Sequence, residues 1–264
     1  MTVRFRFVLR AVEAVRPWGD EAPRLGWFIL TDGWYWIEAG GHELLRYADP
    51  ARAEAFAGPD AVREPPYVDY HVVRLWEDLV DLMPRIMEPV PPDLADFVPD
   101  RRLRVEGSAA PDAEAAISWA EGHVLDMGHL RAAPDIRFRR AVSGGDDTMT
   151  ITWAHASEPD DDDPIRFTAP ATGRVSVPTE AFTAAVTDFD RDLFAAMEER
   201  VGALEASGPP PGVELDTIHL RHEHRDRATW LRRALDRTPD TDWPAVRSGA
   251  ELLGRPTGTS AERA

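Results

Sequence analysis

The segment from Trp27 to Tyr47 constrains the fold more than any other part of the chain. Trp34 to Glu38 is mostly apolar at consecutive positions, which is typical of a strand that lies centrally in a sheet with both faces covered. Gly40-Gly41 matches a two-residue hairpin loop, so a second strand should run from His42 to Tyr47. The sequence therefore predicts an antiparallel sheet near the N-terminus.

Hydrophobic periodicity assigns the remaining elements. Further strands are predicted at Val3 to Leu9, Leu25 to Leu30, Ile136 to Val142, Thr148 to His155 and Arg174 to Val177. A turn at Thr31-Asp32-Gly33 should join the second of these strands to the central strand. Helical spacing predicts helices at residues 67–88, Pro111 to Glu121, Pro178-Thr179 to Val201, Ala228 to Arg237 and Trp243 to Leu253. Pro84 should kink the first of these helices or end it early.

These elements predict an α+β protein made of two antiparallel sheet–helix units and a helical C-terminal segment. The stretch from Ser207 to Gly212 has the composition of a linker and is a candidate hinge. The predicted divisions are residues 1–98, residues 99–206, residues 207–253 and a disordered tail at residues 254–264. One continuous globular domain is the alternative.

The composition excludes several kinds of catalysis. All 30 basic residues are Arg, and the chain has no Lys, Cys, Asn or Gln. The absence of Lys excludes Schiff-base chemistry and a phosphate loop ending in Gly-Lys. The absence of Cys excludes thiolate nucleophiles, disulfides and sulfur-ligated metals. The sequence also lacks a serine nucleophile elbow and a glycine-rich dinucleotide motif, so we expect no cofactor.

The formal net charge of −17 restricts the partners. An acidic surface repels nucleic-acid phosphates and anionic lipids, and the densest basic stretches, Arg101 to Arg104 and Arg137 to Arg140, are short. No apolar run reaches the ~18 residues of a membrane span, and the first ten residues lack the apolar core of a signal peptide. We therefore expect a soluble, cytoplasmic protein that binds neither nucleic acid nor membranes.

Five short stretches together resemble an uncharacterised bacterial family known only as a domain of unknown function, of the 5984 type. They are Pro17-Trp18-Gly19, Leu30-Thr31-Asp32-Gly33-Trp34-Tyr35-Trp36, His42-Glu43-Leu44, Arg74-Leu75-Trp76-Glu77-Asp78-Leu79 and Phe189-Asp190-Arg191. The resemblance covers most of the chain and rests on residues typical of a core. It implies no activity, cofactor or catalytic residue.

The predicted hairpin brings two carboxylates together. With Gly40-Gly41 as the loop, Glu38 lies opposite Glu43, and the same face carries the aromatic residues Trp34, Trp36 and Tyr47. Carboxylates about 5 Å apart beside aromatic rings resemble the site of a retaining glycosidase, which makes Glu38 and Glu43 candidate catalytic residues. The alternatives are neutralisation by Arg4, Arg6 or Arg46, a different register, or a site for a cation or small ligand.

A histidine-rich stretch is the second candidate site. His219, His222, His224 and Asp226 have the ligand types that suit zinc or another divalent metal. On a strand His222 and His224 would share a face, whereas on a helix His222 and Asp226 would. Neither arrangement matches an established metal motif, and Arg residues lie between the candidates. A solvated helix entry with ion pairs is the alternative, and no metal is predicted.

Three functions are compatible with these patterns. We favour an interaction protein, either immunity-protein-like or a regulatory binding module, because an acidic surface steers quickly onto a basic protein partner. The first alternative is a carboxylate- or metal-dependent hydrolase that uses Glu38 and Glu43 or the histidine-rich stretch. The second is a small-ligand-binding domain with a Trp-rich pocket. The sequence favours a protein that is not an enzyme.

Overall fold

The computed structural model describes residues 1–48, 65–98, 110–155 and 165–254. It shows an α+β protein with two antiparallel sheets, as the sequence predicts. The first sheet consists of β1 (Val3–Leu9), β2 (Asp32–Ala39), β3 (His42–Leu44) and β4 (Val68–His71). The second consists of β5 (Pro134–Ser143), β6 (Asp146–His155) and β7 (Thr172–Pro178), in that spatial order.

Helices cover the sheets and form the C-terminal segment. In the described residues they are α1 (Val72–Ile86), α2 (Pro111–Glu121), α3 (Thr179–Ser207), α4 (Thr217–Arg227), α5 (Trp230–Leu235) and α6 (Trp243–Gly254), with 3-10 turns at Val12–Ala14, Ile29–Thr31 and Pro92–Leu94. Trp76 on α1 donates its indole N–H to the Asp190 carboxylate on α3 at 2.8 Å. This bond joins the two helices that flank the core.

Strand β2 is the centre of the first sheet. It pairs along one edge with β1, and its other edge is shared by β3 and β4. Tyr35, Ile37 and Ala39 on its inner face are fully buried. On β1 the inner residue Phe5 contacts the rings of Phe182 and Phe189 on α3, both at 6.0 Å between centroids. The predicted central position of this strand is confirmed.

One large core contains residues from both sheets and from α1, α3, α4 and α5, while a smaller cluster joins α2 to α6. In the smaller cluster Trp119 on α2 packs near Val246 on α6. Arg139 on β5 connects the second sheet to this region, because its guanidinium donates hydrogen bonds to the backbone carbonyls of Ala95 and Phe97. The predicted divisions at residues 98/99 and 206/207, and the hinge at residues 207–212, stay predictions.

Two N-terminal predictions are wrong. Leu25 to Leu30 is not a strand but a turn followed by the 3-10 helix Ile29–Thr31. The segment is apolar because Trp27 and Leu30 are fully buried. A compact turn can bury such side chains as completely as a strand does, so the apolar pattern does not distinguish the two. Thr31-Asp32-Gly33 is not a separate turn, because β2 already begins at Asp32. Gly33 is required there since an added Cβ would lie 2.3 Å from the Val8 carbonyl oxygen.

Several boundaries differ from the predicted ones. The strand after the hairpin ends at Leu44, because Leu45 adopts a positive φ of 70° that breaks the alternation. Residues 68–71 form β4, so the following helix begins at Val72 instead of residue 67. Pro84 lies within the last turn of α1, which ends two residues later, as expected of an early stop.

Some predictions fall outside the described residues. They concern the basic stretch Arg101 to Arg104, the boundary at residue 99 and the tail beyond Gly254. The other predicted basic stretch lies on β5, where Arg140 makes two contacts with the Asp147 carboxylate. Among the described residues, none of the helices has the length and apolar character needed to cross a membrane.

Gly249 should be essential for the contact between α2 and α6. An added Cβ there would lie 1.9 Å from the Asp112 backbone oxygen, a clash that no side-chain movement relieves. We expect Gly249→Ala to lower the free energy of unfolding by about 2 kcal/mol, as overpacking does elsewhere. Urea unfolding monitored by tryptophan fluorescence measures this loss.

Gly202 on α3 is the matched control, because nothing lies within 4 Å of the Cβ that Ala would add. Gly202→Ala should stabilise the protein by about 0.5–1 kcal/mol through its higher helix propensity. Equal effects of the two substitutions would contradict the close packing of α2 against α6.

Candidate functional site

The predicted register of the Glu38 and Glu43 pair is confirmed, since the two residues are direct partners across β2 and β3. Each carboxylate has its own cation. Glu38 lies 3.6 Å from Arg4 and 3.3 Å from Arg6. Glu43 accepts hydrogen bonds from Arg46 and from the Tyr67 hydroxyl, which hold its pKa below the usual range. A general acid needs a raised pKa, so this arrangement favours the ion-pair interpretation; a catalytic role for the pair stays a prediction.

Each of the three predicted aromatic ligand-binding residues packs against a different neighbour. Trp34 is covered by the Arg10 guanidinium, 4.3 Å from the ring centroid. Trp36 stacks on Tyr67 at 3.9 Å. Tyr47 lies beyond the end of β3 and stacks on Phe167 at 5.4 Å. Small-ligand binding by these residues stays a prediction.

The histidine-rich stretch lies on α4, where helical geometry separates its members. His219 and His222 are exposed, whereas His224 is buried and faces the core. Its Nδ1 accepts the Trp27 indole N–H at 3.1 Å, and its Nε2 lies 3.0 Å from Glu198. Asp226 accepts from Trp230 instead. Across the described part of the chain, no group of three or more His, Asp or Glu side chains is arranged to hold a metal ion.

A shallow groove of about 550 Å³ lies beside the first turns of α3. Two of its charged lining residues are paired with each other, since Arg140 contacts both Asp147 and the Met87 carbonyl, and Thr179 donates to Asp147. The ion pair holds the pKa of Asp147 at about 2. We assign no ligand to this groove.

The structure instead brings together five rings that the sequence does not group. Trp18 contacts Phe28 and His71 at 5.7 and 5.5 Å between centroids. His71 contacts Tyr70 at 5.1 Å, and Tyr70 contacts His129 at 4.7 Å. Trp18 is 54% exposed, and the other four rings are partly exposed. We call these five residues the aromatic surface.

Local backbone bonds fix the outer end of the aromatic surface. Trp18 and Arg24 exchange two backbone hydrogen bonds of 3.0 and 2.8 Å, closing a short loop around Gly19, whose φ is +97°. The Thr31 hydroxyl donates to the Phe28 carbonyl at 2.7 Å and accepts from the Val73 backbone N–H at 3.3 Å. One hydroxyl thus links the turn that carries Phe28 to the start of α1.

A polar cluster lies at the inner end of the aromatic surface. The buried Tyr35 hydroxyl is 2.7 Å from His129 Nε2. Arg74 on α1 hydrogen-bonds Asp126 at 3.1 Å and lies 3.3 Å from Asp78. The Asp78 side chain is 7% exposed, whereas the Asp126 side chain is 62% exposed. We call Tyr35, Arg74, Asp78, Asp126 and His129 the polar cluster.

Burial and neighbouring charges shift the pKa values of the polar cluster. Burial raises the pKa of Asp78 to about 7, with a lowering contribution from Arg74 and raising contributions from nearby carboxylates. Burial also raises the pKa of Tyr35 and lowers that of His129. The backbone N–H of Gly128 lowers the pKa of Asp126. Strongly perturbed pKa values cluster at functional sites.

Unpaired atoms concentrate in the same region. Of six buried side-chain atoms without a hydrogen-bond partner in the described residues, three are Asp78 Oδ2, His71 Nδ1 and His129 Nδ1. Such atoms cost about 1–3 kcal/mol each, so folded proteins rarely retain them without a reason. Their concentration makes the aromatic surface and the polar cluster the candidate functional site.

Asp78 should oppose folding at neutral pH. Its carboxyl holds a proton more tightly in the folded state, so stability is lost as pH rises from about 4 towards 7. Between pH 5 and pH 8 we expect wild type to lose about 2–3 kcal/mol more stability than Asp78→Asn. Urea unfolding of both proteins across this range measures the difference. The histidines are common to both, so parallel pH profiles would contradict the raised pKa.

Comparison with known sequences identifies the chain's family but no activity. Residues 4–249 match the sequence model of a family of unknown function, DUF5984, and the chain belongs to this family. The resemblance seen in the short sequence stretches is thereby confirmed. No curated protein and no solved structure matches the chain.

Proposed function

We propose that this DUF5984 protein is an interaction protein that binds a basic protein partner through its aromatic surface. The observation that carries the proposal is the exposure of Trp18 at the end of five contiguous rings. The acidic character and the cytoplasmic location predicted from the sequence belong to this proposal.

Aromatic side chains give much binding energy for little loss of conformational freedom. Trp and Tyr are therefore the residues most often found at the energetic centres of protein interfaces. On the aromatic surface, Trp18 and Phe28 offer apolar area, and the half-buried rings of Tyr70 and His71 pack beside them. Because the rings support one another, the surface is already arranged before a partner arrives.

The charge around the aromatic surface favours a basic partner. Asp20 and Glu21 are exposed at the tip of the loop that Trp18 and Arg24 close. Asp126 is exposed at the inner end. Together with the net charge of −17, these carboxylates would steer a cationic surface towards the rings.

Replacing Trp18 should remove the partner without unfolding the protein. When the chain is purified at low salt from the organism that encodes it, native mass spectrometry should find a basic protein bound to wild type. We expect Trp18→Ala to weaken that complex at least tenfold, as truncation of a central aromatic residue does. Ile218→Ala is the matched control, because Ile218 on α4 is 84% exposed and lies outside the aromatic surface. Equal retention by both variants would contradict the proposal.

The carboxylates near Trp18 should control the association rate. We expect the double variant Asp20→Lys/Glu21→Lys to slow association with the purified partner several-fold at low salt, and less at high salt, because salt screens the attraction. Asp240→Lys/Glu251→Lys changes the net charge equally at exposed positions in the C-terminal region. Stopped-flow measurements should show a smaller effect for this control, and equal slowing would place the interface elsewhere.

A further inference from the structure

The polar cluster has an unusual distribution of hydrogen bonds. Arg74 Nη2 donates a hydrogen bond to Asp126, whose side chain is largely exposed. The same nitrogen makes only a 3.3 Å ion-pair contact with Asp78, whose side chain is 93% removed from solvent. Asp78 Oδ2 has no hydrogen-bond partner within the described part of the chain. The exposed Asp126 carboxylate, which water can solvate, therefore has the hydrogen bond from Arg74 that the buried Asp78 carboxylate lacks.

Physical chemistry favours the opposite distribution. An exposed carboxylate gains little from an ion pair because water already solvates it, whereas a buried one depends on its partner. A guanidinium that faces a carboxylate squarely makes two parallel hydrogen bonds, and Asp78 has the free oxygen for the second. Arg74 should therefore move onto Asp78 once another cation takes its place at Asp126.

The surroundings of Asp126 suit an incoming arginine side chain. His129 follows Asp126 by three residues in the loop after α2, and its ring packs 4.7 Å from Tyr70. Guanidinium groups stack on flat aromatic rings and pair with carboxylates at the same time, which the compact ammonium of Lys does less well. The site therefore combines an exposed carboxylate with the mutually packed Tyr70 and His129 rings.

We infer that Asp126, with the Tyr70 and His129 rings, binds an arginine side chain of the basic partner and that Arg74 then shifts fully onto Asp78. This inference rests on the proposed function and names the side chain that the surface recognises. Asp126 and the rings contact the arginine, whereas Arg74 and Asp78 act as positioning residues.

The movement of Arg74 onto Asp78 should release protons, and this release can be measured. The charged and titratable groups that influence Asp78 are Arg74, Glu77 and Asp81 on α1, Asp126 on the loop after α2, and Tyr35 on β2. A closer Arg74 favours the charged carboxylate, so binding near pH 7 should release part of a proton from Asp78. Lysine side chains that do not displace Arg74 should release none.

Isothermal titration calorimetry with an arginine nonapeptide and a lysine nonapeptide tests the inference. We expect wild type to bind the arginine peptide at least threefold more tightly and to release a fraction of a proton, detected with two buffers of different ionisation enthalpy at pH 7. Asp126→Asn should abolish the preference, and its amide oxygen can still accept from the Gly128 N–H. Asp78→Asn should bind the arginine peptide without proton release, and Asp240→Asn should behave as wild type.

Different results of this experiment overturn different claims. If both peptides bind equally and Trp18→Ala weakens both, the proposed function stands and the arginine site is wrong. If neither peptide shows binding that depends on Trp18, the proposed surface itself is wrong. An arginine preference that survives in Asp126→Asn, or equal proton release by wild type and Asp78→Asn, also overturns the inference.

Discussion

The full pairing of β2 determines where the functional groups of this protein lie. Its backbone hydrogen-bonds β1 on one edge and both β3 and β4 on the other, so the strand has no freedom to slip. A shift of one residue would exchange Tyr35, which is fully buried, with the partly exposed Trp36. The fixed register directs the Tyr35 hydroxyl to His129 and aligns β4, which carries Tyr70, beside it. The core therefore positions both the polar cluster and the aromatic surface.

The polar cluster is the costly part of this fold. Other buried polar groups of the core are paired, as with Trp76 and Asp190 or Trp27 and His224. Asp78 lies instead among other carboxylates with one oxygen unpaired. Under the proposed function, a cation of the partner would supply the missing positive charge, which would explain why this cost is tolerated. A partner bound in this way would restore the stability that the free protein loses.

The sequence was sufficient for the parts that local patterns control. The Gly40-Gly41 loop fixed the Glu38–Glu43 register, and helical spacing located α2 and α3. It was insufficient for the aromatic surface, whose members come from the loop at Trp18, the turn at Phe28, strand β4 and the loop after α2. Phe28 lies in a segment expected to be a strand, and no spacing rule links it to His129. The raised pKa of Asp78 arises from burial. The sequence does not reveal this burial, because an Asp four residues after an Arg on a helix is typical of an exposed ion pair.

Hydroxyl-radical footprinting of the chain, free and in its native complex, tests the central claim most directly. The aromatic surface predicts that Trp18, Phe28 and Tyr70 become protected from oxidation in the complex. Trp243 on α6 packs against the smaller cluster that joins α2 to α6, and it should react equally in both states. Unchanged oxidation of Trp18 together with protection of another surface would contradict the assignment of the aromatic surface as the interface.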